Sequence, residues 1–187
     1  MAVLSRVGPQ LVVVVVDKDQ DFLFLQSKNY GAMIVDKSIG LFMGGGGRPA
    51  KMRLDVNGRV FSGMGKGRYY VGHPEYQKRF EKVLGYRPYP GTLNVKLEDV
   101  GMIAKIKRLR TMGGVKVDSF VKDGESFSAL NCFDGTMDGE KVTLLFIDVT
   151  YYNESVAELI SPAFLREKFG LKDGDEVSFS LEMPGLF

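Results

Sequence analysis

The sequence predicts a mostly β fold, a compact barrel of about six short strands with two short helices. Short apolar runs separated by Gly and Asp turns support the strands. Two segments combine helical spacing of apolar residues with residues typical of helix starts and ends. Strands and helices do not alternate as in βαβ units, which argues against Rossmann and P-loop architectures.

The first 53 residues differ in composition from the rest of the chain. Their apolar runs are separated by polar turns, a spacing that predicts short strands or hairpins, at 11–16, 22–25, 32–35 and 39–43. Glycines at 44–47 resemble a linker, because they are costly to order and have no side chain to pack. We therefore predict a β-rich N-terminal extension of unassigned role at 1–53 and a barrel domain at 54–187.

The barrel elements follow from residue 54 onward. A glycine-rich loop at 63–67 should be followed by resumed extended structure at 69–71. A helix over Pro74–Leu84 starts with a proline suited to a first turn and stops at Gly85. A second helix over 162–169 is closed by a glycine. Strands are predicted at 54–62, 93–97, 114–121, 126–133, 141–149 and 176–181.

Composition excludes several classes of protein. The chain has 187 residues, 44% of them apolar and 26% charged, too apolar for a disordered chain. The net charge of +2 is not that of a dedicated nucleic-acid binder. The single cysteine, Cys132, rules out an internal disulfide. Its position in the apolar run at 130–133 predicts a buried strand residue. A single histidine, His73, rules out a His-rich zinc site.

No early segment is apolar over the length of a signal-peptide core or a membrane span. The longest early apolar run, at 11–16, has six residues, against about 7–15 for a signal-peptide core and about 20 for a spanning helix. Together with the single cysteine, this predicts a cytoplasmic protein that does not bind membranes.

The glycine-rich loop is the first candidate site. Gly63, Gly65 and Gly67 let backbone N–H groups approach an anion, and Lys66 and Arg68 lie beside them. The Walker A pattern is absent, and the expected context of two strands is not that of a dinucleotide fingerprint. A plain turn and a phosphate-binding loop both remain open.

Three further motifs allow two interpretations each. Thr92 and Asn94 lie on one face of a predicted strand. They could be neutral oxygen ligands of Mg²⁺, or Thr92 could bond the turn backbone and Asn94 could cap a loop. The segment from Thr150 to Glu158 could stack and hydrogen-bond a flat ring, or be an ordinary loop. The basic run at 105–110 fits an anion site or a solvated face.

Taken together, these motifs resemble one family, the archaeal CTP-dependent riboflavin kinases. The resemblance covers roughly residues 54–182. It is carried by residues 62–71, 84–97, 150–162 and 165–177, and Pro-Tyr-x-Gly-Thr-Leu-Asn at 88–94 is its most specific part. Lys66 departs from the family, which often has Glu there, and Asn153 with Glu154 varies within the flavin motif.

The resemblance implies a six-stranded cradle-loop barrel and the reaction of riboflavin with CTP to give FMN and CDP. It assigns Mg²⁺ to Thr92 and Asn94, and the flavin to Thr150 and Glu158. As the only matched carboxylate, Glu158 is a candidate general base or an orienting group. Nucleotide contacts are implied for Met64, Gly65, Lys66, Gly67, Arg68 and Tyr69, and for the cytidine-reading residues Ala163, Phe164, Leu165 and Arg166.

Two alternatives stay open. Residues 165–177 also resemble the repeated half of swapped-hairpin transcription regulators, which bind DNA. Residues 54–187 hold 18 basic and 19 acidic residues, whereas residues 1–53 hold 7 and 4, so the predicted barrel lacks the charge of a DNA binder. A flavin- or nucleotide-binding barrel without catalysis is the second alternative. We therefore expect no nucleic-acid partner. Some relatives carry an N-terminal winged-helix domain that binds DNA, but residues 1–53 show no helix-turn-helix pattern. A monomer is compatible with the sequence.

Overall fold

The computed structural model describes residues 2–7, 10–16, 22–27, 31–36, 53–147, 152–153 and 155–182. The chain forms two compact units, divided between residues 52 and 53. The described part of the first unit is an antiparallel sheet in chain order, with strands β1 (Ala2–Val7), β2 (Gln10–Val16), β3 (Phe22–Ser27) and β4 (Gly31–Asp36). The predicted run at 39–43 and the glycines at 44–47 lie outside the described residues.

The second unit is built on a closed barrel. Its strands are β5 (Arg53–Phe61), β6 (Leu93–Lys96), β7 (Val115–Val117), β8 (Phe120–Lys122), β9 (Glu125–Phe127), β10 (Leu130–Met137), β11 (Glu140–Ile147), β12 (Val156–Ile160) and β13 (Glu176–Glu182). Six of them form an antiparallel ring in the order β11-β12-β6-β5-β13-β10, which β10 closes on β11. Strand β7 pairs with β10 outside the ring, and β8 and β9 form a separate hairpin. The mostly β barrel predicted from the sequence is therefore confirmed.

The described residues form four helices where two were predicted, and the helix predicted over 162–169 is limited to Leu165–Lys168. The described residues form α1 (Lys66–Gly72), α2 (Pro74–Leu84), α3 (Val100–Thr111) and α4 (Leu165–Lys168). Extended structure at 69–71 was a wrong prediction, because these residues belong to α1. The basic run at 105–110 lies in α3, where Ile106 and Leu109 are buried and the basic residues flank that narrow apolar stripe.

Helix α2 begins and ends where its capping residues dictate. The His73 ring nitrogen Nδ1 accepts a hydrogen bond from the Glu75 backbone N–H at 3.2 Å, and Pro74 occupies the first turn. Gly85 ends the helix at φ 76°, a left-handed conformation that suits glycine. The helix is thereby fixed with its apolar face, Tyr76, Phe80 and Leu84, turned to the barrel.

Strand alternation gives the second unit two cores. On β10, β11 and β12 one set of side chains fills the barrel, including Phe133, Leu144 and Leu159. The neighbouring side chains point outward and pack with α2, namely Cys132, Leu145 and Ile160. Cys132 is buried as predicted, and burial raises the pKa of its thiol to about 12, so the thiol stays protonated at neutral pH.

We expect Gly58→Ala to destabilise the barrel by about 1–3 kcal/mol, the usual cost of overpacking. A Cβ on Gly58 would lie 2.5 Å from the Lys96 carbonyl oxygen and 2.6 Å from Val95 Cγ1, so strand β6 would have to move. Urea unfolding followed by circular dichroism measures the change. The control is Gly101→Ala in α3, where a Cβ meets only the Asp99 carboxylate, at 3.2 Å. Equal losses in the two variants would contradict this account.

Candidate active site

Three cavities surround the start of β6 and all of them are lined by Thr92. The Tyr89 cavity, of about 180 Å³, includes Tyr89, Ser161 and Phe164 in its lining. The Tyr76 cavity, of about 280 Å³, lies against α1 and α2. The loop cavity, of about 240 Å³, is lined by much of the glycine-rich loop. Groups bound in these cavities would therefore come close to one another beside Thr92.

Thr92 and Asn94 present two oxygens at one point, as their spacing predicts. The Thr92 hydroxyl donates to Asn94 Oδ1 at 3.0 Å, and Asn94 is only 7% exposed. Adjacent ligands of an octahedral Mg²⁺ lie about 2.9 Å apart, since each is about 2.0–2.1 Å from the ion. Within 53–147, 152–153 and 155–182, no cluster of three His, Cys, Asp or Glu side chains could hold a metal ion. The neutral pair thus fits a divalent cation whose other ligands are waters and substrate oxygens.

The glycine-rich loop lies directly against this pair. A Cβ on Gly67 would be 2.6 Å from Thr92 Oγ1. A Cβ on Gly63 would be 2.3 Å from Asn94 Nδ2 and 2.1 Å from the Tyr152 hydroxyl. The loop approaches this closely only because these two residues have no side chain. It also runs from β5 into α1, so the expectation that it joins two strands was wrong.

Tyr152 holds the loop in place from the other side. The Met64 backbone N–H donates to the Tyr152 hydroxyl at 3.0 Å. The Tyr152 ring packs edge-on against Phe61, with centroids 5.8 Å apart. Because Tyr152 lines both the loop cavity and the Tyr76 cavity, it connects the two.

Cationic side chains give the loop cavity its charge. Lys66, Arg68 and Arg166 all line it. Arg166 Nη2 lies 2.8 Å from Asp173 Oδ1. Hydrogen bonds from Arg166 and then Ser62 hold the pKa of Asp173 below its ordinary value, so this carboxylate is ionised at neutral pH. The cavity therefore suits a polyanion such as a chain of phosphates.

Two residues predicted for the nucleotide point elsewhere. The side chains of Met64 and Tyr69 are exposed and are not part of the lining of the three cavities. The Tyr69 hydroxyl donates to Glu125 at 2.6 Å, and this hydrogen bond raises the pKa of Tyr69.

The Tyr76 cavity is apolar and aromatic with a few polar groups. The Tyr76 hydroxyl donates to the Ser128 carbonyl oxygen at 2.6 Å, and burial raises the pKa of Tyr76 to about 12. Glu158 is half-buried on β12, pairs with Asn94 across the sheet, and lines both this cavity and the loop cavity. Thr150 lies outside the described residues. The other aromatic and serine lining residues are Tyr70, Phe80, Ser126 and Tyr152.

In the Tyr89 cavity, the rings of Tyr89 and Phe164 stack with centroids 4.6 Å apart. The Tyr89 backbone N–H donates to the Ser161 carbonyl oxygen at 2.8 Å, and the Ala163 N–H donates to Ser161 Oγ at 3.2 Å. These bonds tie the turn before β6 to the segment after β12. The four residues predicted at 163–166 all line this cavity.

Sequence reasoning missed several residues of the site. Tyr89 belongs to the Pro-Tyr-x-Gly-Thr-Leu-Asn segment at 88–94, but no contact of its own was predicted for it. Ser62, Ser161 and Asp173 lie in segments that carry the resemblance, but no role was predicted for them, because each looks like an ordinary strand-end or turn residue. Tyr152 lies in the aromatic segment from Thr150 to Glu158, but the contact of its hydroxyl with the glycine-rich loop was not predicted.

Comparisons with known proteins agree on one family. The family model for CTP-dependent riboflavin kinase, described as a domain of unknown function, DUF120, matches residues 60–181. A riboflavin kinase of Methanosarcina mazei is 38% identical over 134 residues, which cover 71% of this chain and 59% of that protein. One of Archaeoglobus fulgidus is 32% identical over 165 residues, covering 88% and 64%. The chain thus spans about three-fifths of the length of these relatives. Among the described residues, no helix combines the length and apolar character needed to cross a bilayer.

Tyr152→Phe should loosen the glycine-rich loop without unfolding the barrel. Loss of a hydrogen bond of about 1 kcal/mol should speed amide hydrogen exchange at residues 62–68 about fivefold. Tyr86→Phe is the control, because it removes a hydroxyl bond to Thr143, of 2.7 Å, that does not involve the loop. The same exchange rates at 62–68 in Tyr152→Phe and the unsubstituted protein would rule out this role of the hydroxyl.

Proposed function

This chain belongs to the CTP-dependent riboflavin kinase family, and we propose that it transfers the γ-phosphate of CTP to the 5′-hydroxyl of riboflavin. The products are FMN and CDP. One observation carries the proposal: the Tyr76 cavity and the loop cavity share Gly67, Thr92, Tyr152 and Glu158. An acceptor in the first and a triphosphate in the second would therefore meet at these four residues.

The Tyr76 cavity supports riboflavin as the acceptor. A flat ring system is held best by apolar and aromatic side chains with a few polar groups that fix its orientation. Tyr70, Tyr76 and Phe80 supply the aromatic surface, and Ser126 and Ser128 supply polar atoms. The ribityl chain would extend from this cavity toward Thr92 and Glu158.

The other two cavities support a nucleoside triphosphate as the donor. The loop cavity offers Lys66, Arg68 and Arg166 for phosphates, and it shares Arg68, Thr92 and Arg166 with the Tyr89 cavity. A triphosphate in the loop cavity would therefore place its base in the Tyr89 cavity. The CTP preference rests on the family, and the stacked rings of Tyr89 and Phe164 fit a small pyrimidine site.

Mg²⁺ is the cation that the site suits best. Thr92 and Asn94 would hold it, because their oxygens are spaced as neighbouring ligands and no carboxylate cluster competes among the described residues. When bound, such an ion neutralises charge on the phosphates during transfer. The protein's own part is positioning, which supplies much of the catalysis in phosphoryl transfer.

The transfer forms one bond and breaks one. The ribityl 5′-oxygen bonds to the γ-phosphorus, and the bond from that phosphorus to the β,γ-bridging oxygen breaks, so that CDP leaves with the electron pair. The hydroxyl proton must pass to a base or to water. Glu158 lines both cavities and is our candidate for accepting or orienting that proton.

The site favours catalysis over the alternatives. A barrel that only binds a flavin or nucleotide needs neither the shared residues nor the Thr92 and Asn94 pair. A DNA-binding regulator should concentrate positive charge on its barrel, whereas residues 54–187 have one more acidic than basic residue. The roles of residues 1–53 as an extension and of 54–187 as the kinase domain remain predictions, as does the cytoplasmic location.

Incubation with riboflavin, Mg²⁺ and either CTP or ATP tests the activity. We expect FMN with CTP, detected by chromatographic separation of the flavins, and much less with ATP. Absence of FMN with both nucleotides would refute the kinase. Formation of FMN with ATP alone would refute the CTP assignment.

Asn94→Ala should lower turnover on the order of 100-fold, because it removes one of the two cation-facing oxygens. Asn57→Ala is the matched control, since Asn57 is exposed on β5 and lines none of the three cavities. Circular dichroism should show both variants folded. Wild-type turnover in Asn94→Ala would remove Asn94 from the site.

A further inference from the structure

Asp173 is an acidic residue just outside the three cavities that contacts two parts of their lining. Its carboxylate accepts hydrogen bonds from Ser62, where the glycine-rich loop begins, and pairs with Arg166. We propose that Asp173 is a positioning residue that fixes the loop and the Arg166 guanidinium in one geometry for the nucleotide triphosphate. This inference rests on the proposed function.

The contacts use the two carboxylate oxygens separately. Asp173 Oδ2 accepts from the Ser62 backbone N–H at 2.9 Å. Asp173 Oδ1 accepts from the Ser62 hydroxyl at 3.0 Å and lies 2.8 Å from Arg166 Nη2. A charged acceptor makes hydrogen bonds stronger than those of a neutral one. The Asp173 side chain therefore holds both Ser62, which directly precedes the glycine-rich loop, and Arg166, a cationic residue that lines the loop cavity.

The turn that carries Asp173 is itself fastened to the barrel. The Gly174 N–H donates to the Val60 carbonyl oxygen at 2.8 Å, and the Val60 N–H donates to the Asp175 carbonyl oxygen at 2.9 Å. Within the turn, the Lys172 N–H donates to Asp175 Oδ2 at 2.7 Å. Strand β5 thus holds the backbone of the turn, and the half-exposed Asp173 carboxylate is held by Ser62 and Arg166.

The effect on the nucleotide would pass through Arg166. This side chain is 24% exposed and lines both the Tyr89 cavity and the loop cavity. A guanidinium carries five donors in a rigid fork, so one bond to Asp173 sets the direction of the whole group. Arg166 would then meet the phosphates already oriented, which lowers the entropy lost on binding.

The test compares Asp173→Asn with Asp175→Asn. Asn keeps the size of the side chain but loses the charge and replaces one acceptor with a donor. We expect Asp173→Asn to raise the KM for CTP about tenfold, the usual effect of a charged hydrogen bond, with the KM for riboflavin unchanged. Asp175→Asn makes the same change in the same turn and should leave both KM values unchanged. Equal changes in both KM values of Asp173→Asn, or the same pattern in Asp175→Asn, would show a merely structural role.

A double-substitution cycle tests whether the effect passes through Arg166. Asp173→Asn should raise the KM for CTP less in the Arg166→Ala background than in the unsubstituted protein, because only the contact with Ser62 is then left to lose. Two effects that multiply would overturn the coupling. Ser62→Ala keeps the Asp173 carboxylate and removes one hydrogen bond from the Ser62 hydroxyl. It should raise the KM for CTP less than Asp173→Asn does, and it replaces Asp173→Asn in the test if that variant does not fold.

Titration calorimetry with CTP and Mg²⁺ separates this inference from the proposed function. If the unsubstituted protein binds CTP but makes no FMN, the kinase proposal fails, and the ratio of CTP affinities between Asp173→Asn and Asp175→Asn still decides the inference. If the unsubstituted protein does not bind CTP, the inference fails as well.

Discussion

The close approach of the glycine-rich loop to the start of β6 is the constraint on which the rest of the site depends. The side chains of Asn94 and Thr92 occupy the space that a Cβ on Gly63 or Gly67 would need. A side chain on either glycine would push the loop away from the side chains of Thr92 and Asn94. Phosphoryl transfer depends on positioning, so a shift of that size would matter more than the loss of a peripheral contact.

The barrel supplies the fixed side of this contact. Strand β6 lies between β5 and β12, and its pairing places Asn94 opposite both Phe61 and Glu158. The loop follows directly from β5, so one strand carries the chain from the barrel wall into the site. The three cavities surround the start of β6. Tyr152 and Asp173 hold the glycine-rich loop through hydrogen bonds to Met64 and Ser62.

Local patterns in the sequence predicted the barrel, whereas most of the candidate site residues came from the resemblance to the family. Short apolar runs separated by Gly and Asp turns predict strands, and the spacing of Thr92 and Asn94 predicts a shared face, on which the structure joins them by a hydrogen bond. Helix α1 could not be predicted, because its seven residues include two glycines and are held by neighbours rather than by helix propensity. Asp173 could not be predicted either, because its partner Ser62 is 111 residues away in the chain. Long-range pairings of this kind depend on strand order, which short patterns do not encode.

A structure of the protein with riboflavin, a non-hydrolysable CTP analogue and Mg²⁺ tests the central claim most directly. The account predicts the flavin ring in the Tyr76 cavity and the ribityl 5′-oxygen within about 3–3.5 Å of the γ-phosphorus, beside Gly67 and Glu158. It also predicts the ion on the oxygens of Thr92 and Asn94. A flavin bound outside the Tyr76 cavity, or a triphosphate bound away from the loop, would contradict it.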